Sequence, residues 1–511
     1  MPKHIGVSGV CLVNMKNDKK TVIVNMFWRF AERVGAQGVS FVVSIILARL
    51  LTPESYGIVS LLLVFMQVLQ IFVDSGFPKA LLQKKDADQL DFSTVFYYNV
   101  VMGLLLYGLM FFAAPLIARF YQKEYLTPYI RVMSLTLIIG SVKSVQHVIV
   151  AKRMIFRKFF GATLTGTVVS AVIGILMAYR GFGAWAIIAQ KLSNQLIDTF
   201  FLWFVLRWKP SPAFSFQRLK PLFRYGSRLV GSSLLSSLGS DLNNLVIGRF
   251  YSTAELAYYD KGRSLPYRLV EVFQYSAQSV LFPVLADVQD DRLRLRVILQ
   301  RSVKTSAYCV FPCMMGLGVC ATPLITLVYA DKWGEMIPYF QVWCFINAFF
   351  LLHNANLQVV QAVGRSDTFL KIEIIKQTLS IVVLIVFVRF GVLTLLLSSA
   401  VLTVVSFCIN AHPNAEFAGY GVLAQFRDLF PIILLNIAMG VCVYLVGQWL
   451  PFPLLPKLIL MVLTGVIVYF GLSALFRVEA FRYLLQTVKS FRKQASGKNS
   501  TQSTDSTIPG K

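Results

Sequence analysis

The sequence is divided into long apolar blocks, and their length constrains the fold more than any other feature. Blocks of about 20 residues recur along the chain, for instance at 95–112, 432–449 and 458–475. A helix rises about 1.5 Å per residue, so such a block crosses the roughly 30 Å hydrocarbon core of a bilayer. Only 14% of the residues are charged, against about 25% in soluble proteins. The pattern predicts an all-α integral membrane protein.

The apolar blocks predict about fourteen transmembrane helices, without a polar linker long enough to separate independently folded domains. In chain order the predicted helices cover 25–50, 56–77, 92–113, 129–150, 159–179, 183–206, 222–248, 254–281, 297–320, 337–361, 368–388, 391–410, 429–449 and 456–475.

The net charge of +25 first suggests nucleic-acid binding. The basic residues, however, concentrate in alternate loops, at 152–158, 207–220, 292–301 and beyond 477, whereas the loops between them carry few, such as Arg119. This distribution follows the positive-inside rule if the N-terminus is cytoplasmic. We therefore expect a multi-pass protein of a bacterial inner membrane with both termini in the cytoplasm, and no nucleic acid as partner.

Two short patterns recur in the two halves of the chain. The segments 46–57 and 246–257 share an aliphatic pair, a small residue, Arg, two apolar residues, a hydroxyl and then an acid. Likewise Arg180-Gly181-Phe182-Gly183 is echoed by Arg389-Phe390-Gly391. Each repeat holds six predicted helices, an even number, so both halves cross the membrane in the same direction. The repeat predicts two lobes related by a pseudo-two-fold axis along the membrane normal.

The repeat also predicts the domain organisation. We expect a cytoplasmic N-terminal segment at 1–24, an N-lobe of six helices at 25–210, a C-lobe of six helices at 211–410, two C-terminal helices at 411–476 and a basic, partly disordered cytoplasmic tail at 477–511. The first residues lack the pattern of a cleavable signal peptide. Met15 offers an alternative start, and the sequence leaves the choice between Met1 and Met15 open.

Four predicted helices carry stripes of polar side chains, and they are the first two helices of each repeat. The clearest stripe, on helix eight, steps by three or four residues through Asp260, Arg263, Tyr267, Glu271, Gln274 and Gln278. Charges in hydrocarbon are costly and generally face a cavity or a partner. We predict a central polar cavity lined by helices one, two, seven and eight. The alternative is ion pairing within the stripes, such as Arg33 with Glu32 or Arg263 with Asp260.

The arginines of these stripes favour a phosphate ligand, because a guanidinium group binds two phosphate oxygens and stays charged. We predict that a pyrophosphate and a sugar are bound by Arg29, Arg33, Arg228, Arg263, Arg268, Gln37, Ser240, Asn244 and Tyr267. The candidates for ion coupling are Glu32, Asp74, Asp241, Glu271 and His353. For His353, packing is the simpler explanation. Lys143, His147, Lys191 and Asp198 form a further polar set.

Motifs of covalent chemistry are weak in this sequence. No Walker motif occurs, so a driving force must come from an ion gradient or a substrate gradient. Asp86-Ala87-Asp88 matches the Asp-x-Asp of metal-using glycosyltransferases, but it lies in a short loop between helices. The cysteines and the four histidines are too scattered to suggest a metal site. We expect no catalytic residue, no metal and no cofactor, while coupling to H⁺ or Na⁺ stays open.

The first copy of the repeated segment reads Ile46-Leu47-Ala48-Arg49-Leu50-Leu51-Thr52-Pro53-Glu54-Ser55-Tyr56-Gly57. It resembles the first-helix signature of the Wzx-type polysaccharide flippases of the multidrug/oligosaccharidyl-lipid/polysaccharide exporter superfamily. Further segments are similar to the colanic acid and teichuronic acid exporter branch of that group: Asp74-Ser75-Gly76-Phe77, Leu281 to Ala286 with Gln289-Asp290-Asp291, and Tyr329 to Trp333 with Ile337-Pro338. The resemblance runs from Asn25 to Phe476.

This resemblance implies two six-helix lobes and a flippase for an oligosaccharide linked to undecaprenyl pyrophosphate. The substrate would move from the inner to the outer leaflet by alternating access, for the biosynthesis of lipopolysaccharide or another surface polysaccharide. It implies as partners the lipid-linked oligosaccharide, membrane lipids, and polymerase or assembly proteins. The family's helix-one arginines and acid correspond to Arg29, Glu32 and Arg33, and its helix-eight arginines to Arg263 or Arg268.

Three alternatives are open at this point. An ion-coupled small-molecule exporter of the MATE type would need a pocket dominated by carboxylates. A membrane glycosyl polymerase or ligase would need a long external loop, whereas the longest predicted external connection is 321–336. A structural scaffold of an assembly complex would have its cavity closed by internal ion pairs.

Overall fold

The computed structural model describes residues 35, 37–74, 76–84, 86–153 and 155–482. Within these ranges it does not describe the side chains at 156–158, 224, 225, 228, 232, 235–241 and 275–280. The described chain is built from α-helices joined by short turns.

The chain forms two compact units, Met1–Asp260 and Lys261–Lys511. The first unit contains α1 (Gln37–Leu50), α2 (Pro53–Asp74), α3 (Phe77–Gln83), α4 (Gln89–Phe120), α5 (Leu126–Met133), α6 (Leu135–Arg153), α7 (Phe156–Tyr179), α8 (Ala184–Leu206), α9 (Phe216–Phe250) and the start of α10 (Thr253–Asp287).

The second unit contains the rest of α10 and nine further α-helices. They are α11 (Arg292–Val319), α12 (Ala321–Tyr329), α13 (Met336–Ala348), α14 (Phe350–Ala362), α15 (Ser366–Phe387), α16 (Val392–Ala411), α17 (Asn414–Phe417), α18 (Val422–Trp449) and α19 (Leu454–Leu475). Two 3-10 helices lie at Asp331–Trp333 and Val388–Phe390.

The predicted all-α membrane fold is confirmed. Every predicted span from 56 onward coincides with a helix or a broken pair of helices, and α1 covers the described part of the first span, 37–50. In the described residues 8 helical stretches are long and apolar enough to cross a membrane. The number becomes 9 if α11 and α12, bent by 69° at Cys320, form one span. The more polar α9 and α10 fall outside this criterion, so the predicted number of fourteen stays a prediction. Residues 321–336, predicted as an external loop, instead contain α12 and a 3-10 helix.

The two sequence echoes fall at equivalent helix boundaries. Helices end at Leu50 and at Phe250, and the next helices begin at Pro53 and at Thr253. In the second echo, Gly183 and Gly391 directly precede α8 and α16 with φ of +54° and +103°. Side chains other than hydrogen disfavour this backbone region, so each repeat uses glycine to start its sixth helix.

The boundary between the two packed units, at residue 260, does not coincide with the boundary of the sequence repeat. The helix α9 begins the second repeat, yet it packs on α2, α3 and α4 of the first unit. The predicted lobe boundary at 210 therefore stays a prediction about the repeat.

The start of α10 lies unusually close to α2. A Cβ atom on Gly57 would stand 1.7 Å from the backbone oxygen of Thr253. One turn further along α2, the Ser60 hydroxyl donates a 2.7 Å hydrogen bond to Asp260. The absence of a side chain at Gly57 is what allows this crossing.

Many apolar side chains point away from the protein interior, as expected where a helix faces lipid. On α4, Leu105, Phe112 and Leu116 are 63%, 76% and 66% exposed. A water-soluble protein rarely exposes such a continuous apolar surface, so these residues support a location in the membrane.

A network around Asp91 ties the first turn of α9 to the start of α4. The buried Asp91 carboxylate accepts a 2.6 Å hydrogen bond from Lys84 and lies 3.5 Å from Arg218. Asp88, which caps α4 together with Asp91, pairs with Arg218 at 3.2 Å. Burial acts in the opposite direction, but hydrogen bonds from Asp91 and the charges of Arg218 and Lys84 hold the pKa of Asp88 below its ordinary value.

The segment that leads into α9, residues 207–216, is hydrogen-bonded to α4 at several positions. Trp208 donates to Gln89 at 2.8 Å, the backbone of Ser211 donates to Ser93 at 2.9 Å, and the backbone of Ser215 donates to Thr94 at 3.3 Å. Trp208 also belongs to the apolar core formed by α3, α4 and α6. This connection between the repeats is therefore fixed to the first unit.

The first prediction concerns the crossing at Gly57. Gly57→Ala should lower the free energy of unfolding by about 1–3 kcal/mol or more, because the new methyl group forces backbones apart. The matched control is Gly108→Ala on α4, where a Cβ meets nothing within 4 Å. Thermal unfolding in detergent should show a lower midpoint for the first variant only. Equal midpoints for both variants would mean that the crossing is looser than the structure shows.

The second prediction concerns Asp91. Asp91→Asn should destabilise the protein by about 1.5–3 kcal/mol, because hydrogen bonds to a buried charge are lost, and should speed proteolysis within 207–216. The control is Asp86→Asn, since Asp86 is exposed in the same loop. Thermal unfolding and limited proteolysis measure both effects. If the Asp91 variant were cleaved as slowly as wild type, the network would not be what holds this segment.

Candidate functional site

Several predicted site residues cannot be assigned a structural role. Arg29, Glu32 and Arg33 lie outside the described residues. Arg228, Ser240 and Asp241 lie on α9, but their side chains are not described. The predicted central cavity lined by helices one, two, seven and eight therefore stays a prediction.

Two predicted residues, Arg263 and Tyr267, are brought together on α10. The Arg263 guanidinium carbon lies 5.3 Å from the ring centroid of Tyr267 and 5.4 Å from that of Trp343 on α13. Tyr267 in turn packs edge-on against Phe350 of α14, with centroids 5.8 Å apart. Cation–π contacts of this kind stabilise a cation while leaving its N–H groups at the rim.

The predicted alternative, an ion pair of Arg263 with Asp260, is not found. Asp260 accepts its hydrogen bond from Ser60, and among the described residues Arg263 has aromatic partners and no carboxylate partner. The guanidinium N–H fork of Arg263 is thus available to an anionic ligand. A planar fork of this kind matches two oxygens of a phosphate group.

The neighbouring predicted residues on α10 and α9 are less clearly placed. Arg268 is exposed and lies near enough to Tyr329 to interact with it electrostatically. Glu271 is partly buried on α10, and Asn244 is buried on α9. Gln37 is exposed at the start of α1. The structure does not join these residues to Arg263.

His353 lies in a packed and hydrogen-bonded environment. Its Nδ1 is 3.0 Å from the Asn410 side-chain nitrogen, and its ring contacts Phe407 edge-on. A neutral imidazole accepting from Asn410 satisfies this geometry. A proton-carrying role for His353 stays a prediction.

One turn away from His353 lies a set of buried amides. Asn356 and Gln425 exchange two hydrogen bonds, of 3.0 and 2.7 Å, and Asn414 donates to Asn356 at 2.7 Å. These amides join α14, α17 and α18. In a membrane such bonds hold helices together because unsatisfied polar groups are costly.

Asp74 lines a separate polar cavity of about 290 Å³ in the first unit. Its carboxylate accepts a 3.0 Å hydrogen bond from Gln70. Lys143 and His147 of the predicted further polar set also line this cavity. Lys143 also forms an ion pair with Asp198. Asp198 thus forms an ion pair with Lys143 of α6, whereas the predicted set placed Asp198 beside Lys191 on the same helix.

A second, larger cavity of about 590 Å³ lies in the second unit and is mostly apolar. It is formed by α11, α12, α13, α18 and α19. Its lining includes Phe311, Met314, Phe345, Ile437 and Met461. An apolar chain is the ligand that such a lining accommodates.

Sequence reasoning missed Trp343, Gln195 and the amides at 356, 414 and 425. The helical stride identified Arg263 and Tyr267 because both lie on one face of one helix. Trp343 lies on another helix and has no polar stripe around it, so only the packing of α13 against α10 reveals it. Buried Asn and Gln within apolar blocks were the available signal for the amides.

Features that would indicate covalent chemistry are explained structurally. Of the Asp-x-Asp pair, Asp88 is the cap of α4 and the partner of Arg218. In the described part of the chain, no group of three or more His, Cys, Asp or Glu side chains is arranged to hold a metal ion.

Comparison with solved structures identifies the fold. The chain superposes on a structure titled "Lipid II flippase MurJ, inward closed conformation" with a TM-score of 0.68, covering 91% of this chain and 100% of the other at 15% identity. An inward-facing MATE multidrug resistance transporter of the MOP superfamily gives 0.54, covering 81% of this chain and 98% of the other at 15% identity. At this identity the likeness establishes the fold, which agrees with the predicted superfamily.

Sequence relatives point to one group of proteins. The teichuronic acid biosynthesis protein TuaB of Bacillus subtilis is 28% identical, over 73% of this chain and 78% of its own. The lipopolysaccharide biosynthesis protein WzxC of Escherichia coli is 23% identical, over 86% and 87%. The succinoglycan biosynthesis transport protein ExoT of Rhizobium meliloti is 29% identical, over 62% of this chain and 65% of its own, slightly under two thirds.

The family match covers more than half of the sequence. Residues 46–338 match the family described as "Polysaccharide biosynthesis protein". The matched segment begins at Ile46, in the repeated motif, and includes α10 with Arg263 and Tyr267. The predicted resemblance is therefore confirmed: the chain is a multi-pass membrane protein that belongs to the polysaccharide biosynthesis protein family.

Proposed function

We propose that this protein is a flippase that moves undecaprenyl-pyrophosphate-linked oligosaccharide units from the inner to the outer leaflet of the cytoplasmic membrane. The units would supply the biosynthesis of a surface polysaccharide, and movement would occur by alternating access. The family match, the named relatives and the fold shared with a lipid II flippase support this proposal. Both termini would lie in the cytoplasm, where the basic clusters are most favourable.

The observation that carries the proposal is the environment of Arg263. A cation inside a membrane protein is normally neutralised by a carboxylate. In the described part of the chain Arg263 is held by Tyr267 and Trp343 instead, and no described carboxylate neutralises its charge. We assign it to the pyrophosphate of the substrate, the group with the highest negative charge density. Arg29, Arg33, Arg228 and Arg268 are proposed to share this charge along the path.

The apolar cavity of the second unit has a place in the same function. A polyprenyl chain is long and apolar, and it must stay out of water while the head group crosses. The cavity between α11, α13, α18 and α19 offers an apolar lining such as Phe311 and Met461. We assign the part of the polyprenyl chain next to the pyrophosphate to this cavity, with the rest remaining among lipids.

The competing functions are less well supported. A MATE-type exporter of small cations would need a carboxylate-dominated pocket, whereas the site at Arg263 is cationic. A polymerase or ligase would need catalytic residues in an external domain, and the connection at 321–336 is occupied by α12 and a 3-10 helix packed on its neighbours. We propose that the protein performs no covalent chemistry and works with polymerase or assembly proteins downstream.

The third prediction tests the anion site. Arg263→Ala should reduce transport of a labelled undecaprenyl-pyrophosphate oligosaccharide in proteoliposomes about tenfold or more, since bonds to a charged group contribute roughly 1.5–3 kcal/mol. Trp343→Leu should raise the half-saturating substrate concentration, and Trp343→Phe should restore most of the affinity because a ring returns over the guanidinium. Arg389→Ala, at an exposed turn, is the control for loss of any positive charge. Wild-type transport by a folded Arg263→Ala protein would remove Arg263 from the site.

The fourth prediction tests the apolar cavity. Gly318→Leu should fill part of it, because Gly318 lines the cavity and a Cβ there meets only Cys344 at an ordinary 3.8 Å. We expect slower transport of polyprenyl-linked substrates in proteoliposomes, because the part of the chain next to the pyrophosphate loses space in the cavity. The control is Gly316→Leu, two residues earlier on α11, where a Cβ meets nothing within 4 Å and the cavity is not lined. An equal effect of both variants on transport would argue against a chain in this cavity.

A further inference from the structure

The polar cavity of the first unit is the most informative feature that the proposed function leaves unused. It is bounded by α2, α3, α6 and α8, and its titratable lining residues are Asp74, Lys79, Lys143 and His147. Asp74 and His147 are exposed to it although both lie in membrane-spanning stretches. Ionisable groups in such positions are expensive and usually have a function.

The cavity follows one end of α6. Its lining extends from Gly140 to Ala151, a rise of about 16 Å, roughly half of the hydrocarbon thickness. Ala151 directly precedes Lys152 and Arg153, and Lys152 donates to the backbone oxygen of Lys84. By the positive-inside rule this end of the cavity lies at the cytoplasmic surface.

Two amides lie at the other end of the cavity. A Cβ on Gly140 would meet Gln70 Nε2 at 2.6 Å and Gln195 Nε2 at 3.0 Å, so both amides lie directly over this glycine. Gln195 is fixed by a 3.0 Å hydrogen bond to the backbone oxygen of Thr136, and Gln70 by its bond to Asp74. Asp74, which is bonded to Gln70, thus lies near the Gly140 end of the cavity.

Lys143 stands between two carboxylates. It pairs directly with the buried Asp198 on α8, and it also acts electrostatically on Asp74 of α2. Asp198 receives a weak 3.5 Å hydrogen bond from Thr163. The charged or titratable groups on the elements packed around Asp74 include Lys79 on α3, Lys143 and His147 on α6, and Lys191 and Asp198 on α8. The helix α9 adds Arg224 and Arg228, whose side chains are not described.

We propose that Asp74 binds a proton supplied from the cytoplasm through this cavity, and that its protonation selects the partner of Lys143. When Asp74 is ionised, Lys143 is attracted toward both carboxylates. When Asp74 takes up the proton, Lys143 belongs to Asp198 alone. In this step an O–H bond of a hydronium ion breaks, an O–H bond forms on a carboxylate oxygen of Asp74, and a water molecule is left.

A proton fits this cavity better than a metal cation does. A sodium ion needs several oxygen ligands, whereas Asp74 is surrounded by the donors and cations of Gln70, Lys79, Lys143 and His147. These groups repel a metal ion, but they do not prevent protonation of a single carboxylate oxygen. The cavity also lacks aromatic residues among its described lining, which a sugar ring would use for stacking.

Protonation of Asp74 would act on α2, the helix that crosses the start of α10 at Gly57. Asp74 is the last residue of α2, and the other end of α2 holds the start of α10 through Ser60 and Asp260. A change in the attraction between Asp74 on α2 and Lys143 on α6 therefore acts on a rigid helix of 22 residues. The link from the proton to transport rests on the proposed flippase function, whereas the proton site itself does not.

The first experiment requires no substrate. Infrared difference spectra of the full-length protein in lipid nanodiscs, recorded after a change of pH, should show a carboxyl signal that Asp74→Asn removes and Asp74→Glu retains at a shifted frequency. The control Asp367→Asn alters an exposed carboxylate on α15 and should leave the signal unchanged. A signal unaffected by Asp74→Asn, or one that requires Na⁺ at constant pH, would overturn the proposal.

The second experiment separates the proton site from the proposed function. Transport of the lipid-linked oligosaccharide in proteoliposomes should change several-fold with an imposed pH gradient, and this dependence should disappear in Asp74→Asn. Transport by wild type that is indifferent to the gradient would overturn the coupling and leave the flippase intact. An infrared signal at Asp74 without transport of any lipid-linked glycan would overturn the proposed flippase and leave the proton site intact.

Discussion

The crossing of α2 with the start of α10 is the contact on which the first unit depends. Gly57 lies against the backbone of Thr253, and Ser60 donates to Asp260. Since the repeats begin their second helices at Pro53 and Thr253, Ser60 and Asp260 occupy equivalent places in the two repeats. A contact between equivalent residues is what a two-fold relation produces at its axis. The end of α9 is secured nearby, because Lys123 donates to the backbone oxygens of Gly248 and Tyr251.

The membrane itself makes much of this fold predictable. Lipid offers no hydrogen bonds to a backbone, so an apolar block of sufficient length must become a helix. Glycine, proline and capping acids then mark its ends, as Asp88 and Gly183 do. What the sequence could not provide is the partner of each polar side chain. That partner depends on how helices rotate and pack, which is why Trp343 was missed and why Asp198 was placed beside Lys191 rather than with Lys143.

The two units stabilise an interior cation in different ways, with different consequences. In the first unit Lys143 is paired with the carboxylate of Asp198. In the second unit Arg263 is held by the faces of Tyr267 and Trp343. A carboxylate partner neutralises the charge and competes with any ligand, so such a pair suits a change of protonation. Aromatic faces leave both the charge and the N–H fork to a ligand, so the arrangement in the second unit suits binding of an anion.

Arg263 also lies at a position of α10 where the backbone hydrogen bonding is incomplete. The segment 207–216 is held on α4 by Trp208, Ser211 and Ser215, so the packing boundary falls within α10, at residue 260, rather than in that loop. Pro266 lies inside α10 just beyond this boundary, and it cannot donate the backbone hydrogen bond that would reach Gly262. Arg263 therefore sits in the turn of α10 with a missing hydrogen bond. A pyrophosphate bound by its guanidinium, as proposed, would act on a turn of α10 that lacks one backbone hydrogen bond.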